Sequence, residues 1–219
     1  KGAWLSEARR YYTNIVGKYG VDVLLPYMKT IAACYITCAL FTIFVQGGLM
    51  AGLYGGISPI KFFSIMKEAM LFVFATCSSV ATIPLNLKCT KKLGVSDKIA
   101  DFVIPFGAVM NMNGTAIYEA VAVIFASQVF GIQLTITQQI MVMVTAVLAS
   151  VGTAGIPGSG LVMLTIVLNA VHLPLETIGL LAGIDRILNM ARVIPNIVGD
   201  AAAAVVVAKS EGELNPPQE

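Results

Sequence analysis

The chain has 219 residues, of which 57% are hydrophobic and 12% charged, with a net charge of +2. Soluble domains carry about 25% charged residues; half that share points to lipid as the solvent, and the absence of a basic tract with interleaved aromatics supports no nucleic-acid role. Cys34, Cys38, Cys77 and Cys89 lie in or beside apolar segments without a CxxC pair and His172 is the single histidine, which argues against zinc and for buried, reduced thiols.

Residues 1–20 are polar and basic, with Arg9, Arg10 and Lys18, and have neither the apolar core of a signal peptide nor the length of a span. They read as a non-membrane N-terminal segment and a possible truncation point. Residues 21–55 read as the first transmembrane helix, with an uncharged heart at 31–50. A turn at Gly55-Gly56-Ile57-Ser58-Pro59 closes it.

Residues 56–208 read as a core of four parts. The first is a helical hairpin at 59–94, apolar over 62–77 except for Lys67 and Glu68, so only 69–77 is clean. That stretch reaches about half-way across a bilayer. The small hydroxyl residues and Pro84 of 78–84 are expected to break the helix, and Lys88, Lys91 and Lys92 follow. Basic ends and a polar tip suggest a re-entrant hairpin based on the cytoplasmic side; the alternative is a helix–turn–helix on the membrane surface.

The second part is a broken span at 96–130, interrupted over 107–115 by two glycines, two asparagines and Thr115, a composition suited to exposing backbone carbonyls to a cation. The third, at 132–173, repeats the hairpin. Its tip at 152–160 has four glycines and Pro157 in nine residues and is not expected to be helical; the alternative is a surface loop between two short spans. The fourth is a span at 175–208, followed by a solvated tail at 209–219. A hairpin–span–hairpin–span order is the layout of an inverted repeat.

Asp185, Asn189, Arg192, Asn196 and Asp200 follow one another at +4, +3, +4 and +4. On a helix these positions fall within an arc of roughly 80°. Two acids, an arginine and two amides on one face of an apolar helix point to a charged solute or ions inside a membrane protein. The alternative is a structural network in which Arg192 pairs with Asp185 or Asp200, although an ion pair does not require two asparagines. No nucleophile–base pair or phosphate loop is visible, so an enzyme is not expected.

Ser78-Ser79, Asn111-Met112-Asn113-Gly114-Thr115, the tip at 152–160 and Asp185…Arg192…Asn196…Asp200 resemble, in order and spacing, the dicarboxylate/amino acid:cation symporter family, which includes the excitatory amino-acid and glutamate transporters. The resemblance runs from about 21 to 213 and is to the C-terminal, transport-domain half. It implies an all-α integral membrane protein, an inverted-repeat transport domain with two re-entrant helical hairpins and two discontinuous or polar transmembrane helices. The implied activity is sodium-coupled, elevator-type symport of an acidic solute, either glutamate or aspartate or a C4-dicarboxylate such as succinate or malate. Na+ is the coupling ion and no organic cofactor is implied. The implied setting is a bacterial or archaeal inner cell membrane, with the solute, sodium and the lipid bilayer as partners, and a homotrimer where scaffold helices are present. The alternative is a non-transporting or truncated member with a structural or regulatory role.

The resemblance also implies roles for single residues. Arg192 would hold a solute carboxylate, as its planar donor fork suits, with Thr115 and Gly160 beside it. Asn196 would hold a second carboxylate, Asn189 would face the solute, and Ser79 and Ile156 would close over it from the hairpin tips. Gly107, Asn111, Asn196 and Asp200 would form one sodium site; Val109 and Met112, with Ser150, Val151 and Thr153, a second. Asn113 would belong to a third, weakened because the family usually has Asp there. The amino-acid carriers also have Asp where Asn189 stands and usually Thr where Val193 stands. Both departures point to a solute without an amino group.

Overall fold

The computed structural model describes residues 24–216. The segment expected at 1–20, the start of the 21–55 helix and the end of the tail lie outside the described residues. Among those described every regular element is helical, and the single β-bridge joins Val95 to Leu214.

Helix α1 (Leu24–Leu40) continues into a wider π-helical segment, Phe41–Tyr54. Helix α2 (Pro59–Thr76) begins on a proline, whose fixed φ suits a first turn. It ends at Cys77, left-handed with φ 55°. Ser78 then caps α3 (Ser79–Lys92), its hydroxyl accepting from the Ala81 N–H at 3.1 Å. Such a cap is worth about 1 kcal/mol. Helix α4 (Asp97–Met110) starts with Asp97 at the positive end of its dipole. It opens at Asn111 and Met112 before α5 (Asn113–Val129) resumes. A Thr135–Gln138 capping box starts α6 (Ile136–Val151). Helix α7 (Ser159–Ala170) follows Gly158, at φ 84°. Helices α8 (Glu176–Ala182) and α9 (Asp185–Ser210) are the last among the described residues.

Burial divides into two clusters. One packs Phe62, Met66 and Val73 of α2, Cys89 of α3 and Ile104 of α4 against Ile197, Ala201 and Val205 of α9. The other packs α1, α5, α6, α7 and α8 against Leu188 and Ala191 of α9. Helix α9 therefore runs through both, and the break between α4 and α5 lies where the chain passes from one cluster to the other.

Leu25–Tyr54, Asp97–Val129 and Asp185–Ser210 are long and apolar enough to cross a membrane. Helices α6 and α7, with 16 and 12 residues, reach only about 24 and 18 Å, less than the roughly 30 Å of a hydrocarbon core. The outer surface is greasy: Ile136, Leu53 and Val162 are 77%, 73% and 70% exposed, as a lipid-facing surface requires.

Lys67 and Glu68 project outward from the continuous helix α2. Three local expectations are corrected. Pro84 lies inside α3; the break is set seven residues earlier by left-handed Cys77 and the Ser78 cap. Ser159 and Gly160 belong to α7 rather than to the open tip. The span at 175–208 is two helices, divided at Gly183 and Ile184, so Asp185 opens α9 at the end where its charge is favoured.

Candidate functional site

All five stripe residues of α9 are buried. Arg192, 2% exposed, is held on three sides. Its Nε donates to Asn189 Oδ1 at 3.0 Å. Its guanidinium carbon stands 4.5 Å from the centroid of the Tyr118 ring, within cation–π range. Its Nη2 lies 3.9 Å from Asp185 Oδ1, an ion pair too long to be a hydrogen bond. Nη1 has no hydrogen-bond partner, and a Cβ on Gly160 would overlap it.

The tips of the two helix pairs meet above this guanidinium. The Ser78 hydroxyl donates to the Gly155 carbonyl at 2.9 Å, and the Val80 N–H donates to the same oxygen at 3.2 Å. Ser79, Thr115, Ile156, Asn189, Arg192 and Asn196 line one cavity of about 10 Å³, roughly the room one water needs. Six of the seven expected solute residues thus share one chamber, and Gly160 adjoins it against Arg192. The Ser79 hydroxyl is buried and without a partner. Ile156 is more than half exposed at the outer end of the cavity wall. The Asn196 side chain is engaged at both ends: Oδ1 accepts from the Gly114 N–H at 2.8 Å and Nδ2 donates to Met112 Sδ at 3.2 Å.

One turn along α9 lies the acid. Asp200 Oδ1 accepts from Asn111 Nδ2 at 2.8 Å, and the same amide nitrogen donates to the Asn196 carbonyl at 3.1 Å. Asn113 Nδ2 donates to Asn111 Oδ1 at 2.6 Å. Asp200 Oδ2, fully buried, has no partner. A Cβ on Gly107 would lie 2.5 Å from Asp200 Oδ1, so only glycine admits the carboxylate there. Gly107, Asn111, Met112, Asn113, Asn196 and Asp200 are therefore brought together, with one formal negative charge among amide and carbonyl oxygens. Oxygen donors around one carboxylate match a small hard cation, and a buried carboxylate oxygen with no partner calls for a positive charge or a proton.

The remaining expected ion residues are placed differently. The Val109 side chain is exposed, leaving only its backbone to serve. Ser150 and Thr153 are buried at the end of α6 and donate to their own chain, at Val147 O (2.8 Å) and Ala149 O (3.1 Å). The Val151 side chain faces outward. This tip approaches α4 through Gly155, where a Cβ would lie 2.9 Å from the Ala108 carbonyl.

Two further polar residues escaped the sequence reading. Glu119 on α5 is fully buried with neither carboxyl oxygen hydrogen-bonded. It stands one helical turn beyond Thr115, a spacing that could have signalled it. Gln46, in the π-helical segment, is fully buried and donates to the Pro195 carbonyl at 2.6 Å.

Comparison with known proteins extends these findings. The model of the sodium:dicarboxylate symporter family matches residues 10–210. The chain is 37% identical over 201 residues to the proton/sodium-glutamate symport protein of Bacillus subtilis, covering 92% of this chain and 46% of that protein. It is 38% identical over 204 residues to the C4-dicarboxylate transport protein of Edwardsiella ictaluri, covering 93% and 47%. To that of Pseudomonas syringae pv. syringae it is 39% identical over 201 residues, covering 91% and 44%. The chain thus spans about half the length of the curated relatives it matches. A buried arginine under two helix-pair tips, an acid beside a broken helix, and a match over residues 10–210 agree: the chain belongs to the sodium:dicarboxylate symporter family.

Proposed function

We propose that this chain is the solute- and ion-binding part of a cation-coupled symporter for an acidic solute, and that the solute is a C4-dicarboxylate rather than an amino acid. The observation that carries the reading is Arg192: a buried guanidinium with Nη1 unpartnered, facing a chamber lined from both helix-pair tips. A guanidinium fork matches a carboxylate. Asn189, the next polar residue on the stripe, is neutral, so the chamber offers no acid there to an ammonium group.

In this reading Asp200 with Gly107, Asn111 and Asn196 holds a sodium ion. Val109, Met112, Ser150, Val151 and Thr153 form a second site once the 152–158 tip moves, and Asn113 supplies at most a neutral oxygen to a third. Ser79, Thr115, Ile156, Gly160 and Asn196 close around the solute. The small chamber supports a step in which the tip withdraws to admit it. The lengths of α6 and α7 support a re-entrant second hairpin; homotrimeric assembly and elevator movement rest on the family resemblance alone.

The test is thermal melting of the purified chain in detergent against sodium and succinate. A ligand that binds only the folded state raises stability by mass action. Succinate is expected to raise the melting temperature only when sodium is present, and more than aspartate does. A melt indifferent to both ions and solutes would refute the proposal.

A further inference from the structure

Gln46 lies outside the stripe, the broken helix and both helix pairs, yet it reaches the turn of α9 that carries two of the proposed ion residues. Its Nε2 donates to the Pro195 carbonyl at 2.6 Å, and its Oε1, fully buried, has no hydrogen-bond partner. The same turn is also tied by Asn111 Nδ2, which donates to the Asn196 carbonyl and to Asp200. The two meet at Gly199, where a Cβ would lie 2.5 Å from Asn111 Nδ2, 2.6 Å from Gln46 Nε2 and 3.2 Å from Asn113 Nδ2. Three carboxamides, from the π-helical segment, the break and the start of α5, therefore converge on one residue without a side chain. Pro195 has no N–H to give to its helix, which removes the bond to the Ala191 carbonyl one turn earlier; the Pro195 carbonyl itself is the one that Gln46 meets.

We propose that Gln46 is a positioning residue for the cation cluster: its amide clamps the Pro195–Asp200 turn against the break between α4 and α5. The clamp sets how well the Asp200 carboxylate and the Asn196 carbonyl are placed for an ion. Gln46 acts through that turn and does not itself supply the charge. The wide winding of Phe41–Tyr54 is part of the device, since π-helical turns displace side chains from their regular register and recur at functional positions. The inference rests on the cation reading of Asp200 proposed above.

The experiment measures the sodium midpoint of thermal stabilisation for the purified chain and for Gln46→Leu, Gln46→Glu, Gly199→Ala and Thr90→Val. Gln46→Leu keeps the volume and removes the donor, and is expected to raise the midpoint about tenfold, the worth of one buried hydrogen bond. Gly199→Ala displaces Gln46 together with Asn111 and Asn113 and is expected to do likewise; an unchanged midpoint there counts against the clamp even where the leucine variant does not fold. Thr90, buried on α3 with a hydroxyl lacking a partner, is the control: its loss is expected to change the melting temperature and leave the midpoint in place. A Gln46→Leu or Gly199→Ala midpoint within about twofold of the parent, with the parent still responsive, overturns the inference alone. Tighter sodium binding by Gln46→Glu also overturns it, because the side chain would then face the ion directly. A parent chain with no response to sodium overturns both the inference and the cation reading beneath it.

Discussion

The guanidinium of Arg192 lies across the ring of Tyr118, with its carbon 4.5 Å from the ring centroid, and both side chains are buried. The ring and Asn189 fix the plane of the guanidinium and leave Nη1 free. An ammonium group is a compact point charge that offers no planar fork to a carboxylate. Arg192→Lys should therefore keep the charge and lose the paired donors. Succinate affinity, read from melting shifts at saturating sodium, is expected to fall about 10- to 100-fold. Affinity equal to the parent's would mean that the solute carboxylate is held elsewhere.

Gly160 and Gly114 both lie against Arg192, but against different parts of it. A Cβ on Gly160 would overlap the guanidinium, whereas one on Gly114 would overlap the Arg192 backbone carbonyl. A side chain can swing aside and a helix backbone cannot. Gly160→Ala is thus expected to fold, to respond to sodium, and to lose most of its response to succinate. Gly114→Ala is expected to lose about 2 kcal/mol or more of stability, as overpacking against an unyielding wall does. Thermal melts with and without ligands separate the two outcomes, and equal melting temperatures for both variants would contradict the geometry.

The stripe on α9 was legible in the sequence because polar residues spaced by three and four can share only one helical face. The interruption near Asn111 was legible because glycine and asparagine are poor in a lipid-facing helix. The division at Gly183 and Ile184 was not, since Asp185, directly after it, reads as the first residue of the polar stripe rather than as the start of a helix. Glu119 and Gln46 were hidden for a related reason: one polar residue within an apolar run reads as tolerated noise until its neighbours are known. No local pattern could show that Gly155 would meet Ser78, or that Gln46 would meet Pro195, because those contacts join residues far apart in the chain.

Asn189 is the position from which solute preference can be reversed. Its Oδ1 already accepts from Arg192 Nε at 3.0 Å. Asn189→Asp would add a charge that attracts a solute ammonium and competes with a solute carboxylate for Arg192. Both effects run the same way, so aspartate is expected to gain on succinate by at least about tenfold in the ratio of affinities. Competition between the two solutes in the melting assay measures that ratio. An unchanged ratio would remove Asn189 from the solute chamber.

At the far end of α9 the tail folds back on the turn between α3 and α4. The Asn215 N–H donates to the Gly94 carbonyl at 2.8 Å, and the Ser96 hydroxyl donates to Glu213 Oε2 at 2.5 Å. Lys98 adds an ion pair to Glu213 at 3.6 Å. The Ser96 hydroxyl, and then Lys98, hold the Glu213 carboxyl below its ordinary value of 4.5. A carboxylate favoured in the folded state stabilises fully above the ordinary value and loses that contribution as pH falls through the lowered one. Melting temperature should therefore decline below about pH 4.5 in the parent, and Glu213→Gln should flatten that decline, its neutral-pH melting temperature falling slightly toward the parent's low-pH level. A decline of the same size in the variant would assign it to other acids.

Glu119 carries the last prediction, which concerns the proton. It is fully buried, neither carboxyl oxygen is hydrogen-bonded, and it directly follows Tyr118, whose ring lies against Arg192. An isolated carboxylate in low dielectric is costly, so its charge must be met by a cation or removed by a proton. When a solute carboxylate occupies Arg192, the guanidinium has less charge to offer Glu119. Solute binding and protonation of Glu119 should consequently be linked, each favouring the other by the same factor. Succinate affinity in the parent is expected to weaken as pH rises, because the proton that accompanies the solute becomes scarce. Glu119→Gln mimics the protonated acid, so its succinate affinity should be nearly flat with pH, and its sodium midpoint should match the parent's at low pH. A Gln variant that keeps the parent's pH profile would place the coupled proton on another group.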